Sequence, residues 1–386
     1  MVLKMIFQDI AKMSFLIFLC FMILGVEAGS KELIDLHREE KSNIELGLKR
    51  IIEKIPYLKY LGVCAVWLTP IYPSPGVDMG YDITDYREID EIMGTMEDFE
   101  ELKNKLHENG IKIILDIVPN HTSDKHEWFI KSVQKEEPYT DYYVWVDAKY
   151  VNGTRQVPNN WYGSIWKHYV GVNEIRQHYY LHQFFTQQPD LNFWNPLVCK
   201  DIKLDKGVDG FRMDAVPYIY ERQDFLDSPI LKDGTLEKID YTQGLDEYGK
   251  TRFMAIETYL KFKYSKKFYG NETNPGAHFP LNSCFFAPKH LSAKEYIDRL
   301  TELFSNLPTG AWLSWIIGNY DSQRATSKFG LELIDGLHMI QLLLPTGTPV
   351  VYMGDELGMT NTYLRDDQRH YEALVPNRER GRTPFQ

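Results

Sequence analysis

Cysteine is scarce: there are four in 386 residues, at positions 20, 64, 199 and 284. They are too few and too far apart for a disulfide framework or a zinc site. Cys64 lies in the apolar run "GVCAVWL" and reads as a core residue. Positive charge is also in deficit, with 43 Lys and Arg against 54 Asp and Glu, a net charge of −11. That balance excludes a nucleic-acid polyanion as partner. A membrane span is missing as well. The apolar run from Phe15 to Val26 falls short of the roughly 20 residues needed to cross a bilayer. It follows Lys12 and ends near the small residues Val26 and Ala28, so residues 1–28 are expected to be a cleaved secretory signal. The product is then expected outside the cytosol, secreted or at the cell surface. Asn152-Gly153-Thr154 and Asn271-Glu272-Thr273 are the expected glycosylation sites, whereas Asn120-His121-Thr122 is expected to be inaccessible.

The chain is 44% hydrophobic and 14% aromatic, enough for a sizeable core. Helical and strand patterns alternate. "TMEDFEELKNKLHENG" opens on a threonine cap with an acidic first turn and closes at Gly110. The apolar runs "VCAVWL", "IKIILDIVPN", "GVDGFRMDAV", "TRFMAIET", "HFPLNSCFF", "AWLSWIIGN" and "TPVVYMGDE" read as strands. Continuous apolar strands separated by helices imply a parallel α/β sheet covered on both faces. Seven strands are one short of an eight-stranded (β/α)8 TIM-type barrel. The Tyr-, Trp- and Asn-rich stretch 121–205 breaks the rhythm and reads as an inserted subdomain, between barrel parts at 29–120 and 206–386.

Polar residues recur at the C-terminal ends of these strands: Asp116, Asn120 and His121; Arg212 and Asp214; Glu257; Asn319 and Asp321. Any one of them alone would pass as a helix cap. In a parallel barrel, however, these ends converge on the face that carries active sites. Arg212 and Asp214 are two apart on one strand and so project from the same face. A cation beside Asp214 favours its ionised form, while a less compensated Glu257 can keep its proton. Scattered carboxylates beside an arginine fit acid/base and nucleophilic chemistry better than a divalent cation, so neither a metal nor a cofactor is expected.

The segments "DIVPNH", "GVDGFRMD", "AIET" and "IGNYD" resemble, in order, the four catalytic regions of the α-amylase family of glycoside hydrolases. "GVDMGYDITDYREID" and "QPDLNFWNP" resemble its auxiliary regions, and the whole is most similar to the α-glucosidase (maltase) branch, insect maltases in particular. The resemblance implies a barrel with a subdomain after the third strand. It implies Asp214 as nucleophile, Glu257 as general acid/base and Asp321 as the third acid. It also implies a glucose pocket formed by Asp78, Tyr81, His121, Arg212 and Arg382, with a maltose- or sucrose-type oligosaccharide as the partner. Three departures carry expectations of their own. The family's first strand and its acidic calcium loop are expected to be missing, since "GSKELIDLHREEKSNIEL" stands there, and the C-terminal β-domain is expected to be missing as well. Membrane attachment is therefore expected only through a C-terminal anchor outside this sequence. Tyr320 stands where the family has histidine and is expected to slow turnover. The alternative is a catalytically weak binding or transporter-subunit protein.

Overall fold

The computed structural model describes residues 23–26, 47–161, 166–168, 176–202, 206–227, 253–258, 262–271, 276–281, 292–363 and 378–382. Eight strands form one sheet. They are β1 (Ile23–Val26), β2 (Ala65–Leu68), β3 (Lys112–Ile117), β9 (Gly210–Met213), β10 (Phe253–Ile256), β11 (Phe279–Pro280), β12 (Leu313–Ile316) and β13 (Gly347–Tyr352). Their order is β11-β10-β9-β3-β2-β1-β13-β12, and the neighbouring pairs run parallel. The edge strands β11 and β12 meet through Ser314 Oγ, which donates to the Pro280 carbonyl at 3.1 Å.

Burial explains why these strands lack an alternating pattern. Every residue of β2 is buried, as are five of the six in β3, because helices cover the outer face. Helix α1 (Gly47–Tyr60) turns Leu48, Ile51, Ile55 and Leu58 inward at three- and four-residue spacing. Helix α2 (Met96–Glu108) starts at a capping box in which the Thr95 side chain and the Asp98 carboxylate satisfy each other's backbone N–H. It buries Phe99, Leu102 and Leu106, and the chain turns away at Gly110, φ 74°.

Between β3 and β9 lie a three-stranded antiparallel sheet, with β4 (Trp145–Val146), β8 (Tyr179–Leu181) and β7 (Trp166–His168), and a hairpin of β5 (Lys149–Val151) and β6 (Thr154–Gln156). The hairpin turns on Asn152 and Gly153, both at positive φ, a backbone that Asn and Gly tolerate best.

Two expectations need correction. The first sheet strand is present, and it comes from the segment read as a signal. Ile23 pairs with Ala65 on one side and Val350 on the other, which places β1 between β2 and β13. A short apolar run suits a buried parallel strand as well as a signal core, and composition does not separate the two. Cys64 is also not a simple core residue: it is half-buried and disulfide-bonded, whereas the Cys199 thiol donates to the Phe193 carbonyl at 3.6 Å. Among the described residues no helix is long and apolar enough to cross a membrane.

Removing residues 1–28 would take β1 out of the sheet and leave two facing edges unpaired. The shortened chain is expected to lose its cooperative melting transition and to aggregate. Thermal unfolding followed by circular dichroism on both forms checks this, and equal transitions would show that β1 is dispensable.

Candidate active site

Strand register assembles the centre of the site. Arg212 on β9 lies directly across from Asp116 on β3 and from Ala255 on β10. One step beyond the ladder, Asp214 N donates to Ile117 O and Glu257 N donates to Met213 O, so both acids leave their strands at the same level. Gly210 allows the close approach. A Cβ there would stand 2.6 Å from the Phe253 carbonyl oxygen of the neighbouring strand.

Arg212, 1% exposed, is the hub. Its Nη1 donates to both Asp116 oxygens at 2.9 Å and to Asp214 Oδ1 at 2.7 Å, and its Nη2 lies 2.6 Å from Glu257 Oε1. Trp67 lies beside the guanidinium, whose carbon is 5.0 Å from the ring, and its indole N–H donates to Asp116 at 3.3 Å. Burial works against the Arg212 charge, but Asp116, Glu257 and Asp214 outweigh it and hold its pKa well above the ordinary value.

The carboxyls respond in opposite measure. Burial pushes Glu257 up to about 8 despite the pull of Arg212, and the negative charges of Asp214 and Asp321 add to the rise. Burial pushes Asp214 up only to about 6, with Arg212 holding it down. The expected influence of Arg212 is therefore real, but desolvation exceeds it. Near neutral pH Glu257 keeps its proton while Asp214, nearer to its ordinary range, is ionised. Asp321 is held from the other side, where Arg382 Nη2 donates to Oδ1 at 3.0 Å and Nε donates to the Tyr320 carbonyl.

A second cluster adjoins the first. Gln188 Nε2 donates to Asp78 Oδ2 and to His121 Nε2, each at 2.9 Å. Since the amide nitrogen only donates, His121 Nε2 accepts and its proton rests on Nδ1, 2.8 Å from Asn120 Oδ1. Burial lowers the His121 pKa to about 4, so the ring is neutral. The Tyr81 hydroxyl donates to Asp116 Oδ2 at 3.0 Å and shares a hydrogen bond with the Tyr320 hydroxyl at 2.7 Å. Phe184 and Tyr218, 39% and 40% exposed, meet edge to face at 5.4 Å and form a rim beside His121.

All eight residues expected at the site lie in these linked clusters: Asp214, Glu257, Asp321, Asp78, Tyr81, His121, Arg212 and Arg382. Three more belong to the network. Asp116 was visible as a polar strand end but had no assigned role; Gln188 was hidden inside "QPDLN", and Trp67 inside an apolar run. The facing register of Asp116 and Arg212 is the signal that locates the first, and it requires knowing which strands are neighbours.

The catalytic-domain model of α-amylase matches residues 39–386. The chain belongs to the α-amylase family. It is 39% identical to an α-glucosidase of Apis mellifera and 37% identical to maltase A1 of Drosophila melanogaster, in each case over 88% of this chain, and it spans 65% and 68% of those proteins. It is also 36% identical to the amino acid transporter heavy chain SLC3A1 of Homo sapiens, over 88% of this chain and 54% of that one. Among solved structures, trehalulose synthase MutB of Pseudomonas mesoacidophila superposes with a TM-score of 0.77 at 28% identity, covering 95% of this chain and 74% of that one. Trehalose-6-phosphate hydrolase of Bacillus licheniformis gives 0.75 at 30%, covering 93% and 71%.

Two outcomes follow from the geometry. The kcat/KM profile is expected to be a bell, rising as Asp214 loses its proton near pH 6 and falling as Glu257 loses its own near pH 8. The limbs belong to the coupled network, and a flat profile across this range would refute the division. Gly210→Ala should force β9 and β10 apart and destabilise the fold by about 1–3 kcal/mol, read as a lower denaturant midpoint.

Proposed function

We propose that this chain is a retaining α-glucosidase that releases terminal glucose from maltose, sucrose or short α-1,4-glucans. One observation carries the reading: two carboxyls on adjacent strands share one arginine, and burial leaves one protonated and the other ionised. Glycoside hydrolysis uses such a pair in opposite roles. Similarity to insect α-glucosidase and maltase supports the substrate class, and a MutB variant is known in complex with sucrose.

The steps follow from the positions of the groups. Ionised Asp214 attacks the anomeric carbon as Glu257 gives its proton to the departing oxygen; the glycosidic bond breaks as the Asp214–glucosyl ester forms. Glu257, now ionised, takes a proton from water as that water attacks the anomeric carbon; the bond from this carbon to the Asp214 oxygen breaks, releasing glucose and the free carboxylate. Arg212 bonds both carboxyls and holds them in place through the two steps. Asp321, Asp78, His121 and Arg382 bind the glucose hydroxyls, with Tyr81 beside them. Tyr320 slows the cycle, because its hydroxyl is engaged by Tyr81 and supplies no donor to the sugar.

The protein acts outside the cell in this reading. Asn152 supports it, being exposed at a hairpin turn, as does exposed Asn271; both are proposed to carry glycans. Asn120, 1% exposed, is not. A binding or subunit role is the second reading, favoured by the similarity to the transporter heavy chain.

Asp214→Asn is expected to reduce hydrolysis of a chromogenic α-glucoside by about 10⁴-fold or more, because the covalent route is lost. Its melting temperature should stay near that of the parent, since Arg212 keeps Asp116 and Glu257. Retained turnover would remove the nucleophile assignment. A folded parent chain with no turnover would favour the binding role.

A further inference from the structure

Tyr320 is 3% exposed and touches both charged halves of the site. Its ring centroid is 5.9 Å from the Arg212 guanidinium carbon and 5.0 Å from that of Arg382. Arg212 carries the Asp214–Glu257 pair, and Arg382 carries Asp321. Three further rings confine the phenol: Tyr81 stacks on it at 26°, while Trp67 and Tyr352 meet it edge-on. Arg382 also donates to the Tyr320 carbonyl. A ring within about 6 Å of a cation attracts it, and here one ring serves two cations that would otherwise repel each other.

We propose that Tyr320 is a positioning residue: its ring spaces Arg212 from Arg382, and so fixes the nucleophile–acid pair relative to the third acid, while its hydroxyl anchors Tyr81. This rests on the hydrolase reading for its consequence but not for its geometry. Seven groups bear on Glu257 or on the ring. Arg212 comes from β9 and Asp214 directly follows that strand, Asp116 comes from β3 and Tyr81 from the loop after β2. Tyr218 follows β9, Asp321 follows β12, and Arg382 follows the short helix at residues 378–381. With the ring gone, water reaches Arg212 and Glu257, and the desolvation that keeps Glu257 protonated weakens.

The test compares Tyr320→Phe, which keeps the ring, with Tyr320→Leu, which does not. kcat, KM and the pH profile on a chromogenic α-glucoside are measured. In parallel, calorimetry follows the pH dependence of binding of an iminosugar of glucose configuration, which needs no turnover. Phe should retain the basic limb and change KM by only a few-fold. Leu should lower kcat by about 10–100-fold and move the basic limb down by about one pH unit. A folded Leu variant with unmoved limb and unmoved binding profile overturns the proposal, whatever its kcat or melting temperature. If the parent shows no turnover yet Leu shifts the binding profile, the positioning role stands and the hydrolase reading falls.

Discussion

The Arg212 guanidinium, buried among Asp116, Asp214 and Glu257, is the interaction on which the site depends. Withdrawing one cation and three carboxyls from water is costly, and the cation compensates only part of the negative charge. The remainder is resolved by retaining a proton, and the local geometry decides where it stays. Asp116 receives two hydrogen bonds from Arg212 and others from Trp67 and Tyr81, although burial still raises it to about 7. Glu257 has the weaker support and the higher affinity for a proton. The chemistry assigned to this pair is thus a by-product of how an ion cluster settles inside a sheet.

The cluster around Gln188 and His121 is organised on a different basis. Its members are linked by neutral donors, namely the Gln188 amide, an uncharged His121 and two tyrosine hydroxyls. Neutral links hold orientation without altering the charge balance around Asp214. The two halves meet at Tyr81, bonded to Asp116 on one side and to Tyr320 on the other. A displacement at either half therefore reaches the other through Tyr81, which suits a site whose members must stay within tight tolerances.

Much of this was legible in the residue order. Strand ends carrying Asp214, Glu257 and Asp321 announced a common face, and apolar runs without alternation announced strands covered on both sides. Asp116 escaped assignment because its meaning lies in a partner 96 positions away, and only strand order reveals that partner. Gln188 escaped because a neutral amide carries no charge signature. The fate of Tyr320 depends on which rings enclose it, and spacing says nothing of that. The strand at Ile23–Val26 went unrecognised for a physical reason: a leader core and a sheet strand ask for the same short, apolar, uncharged run. Its neighbours in the sheet distinguish them, and those neighbours lie far along the chain.

That distance has a consequence for how the molecule comes into being. Ile23 pairs with Val350, so within the sheet residues made early in synthesis lie beside residues made late. Local helices and the pairing of β1 with β2 can form while the chain emerges, but the second flank of β1 must wait for β13. Contacts of such high sequence separation slow folding, because the intervening loop is closed before its reward arrives. During that interval β1 presents an apolar open edge, and the growing polypeptide is in its most chaperone-dependent state.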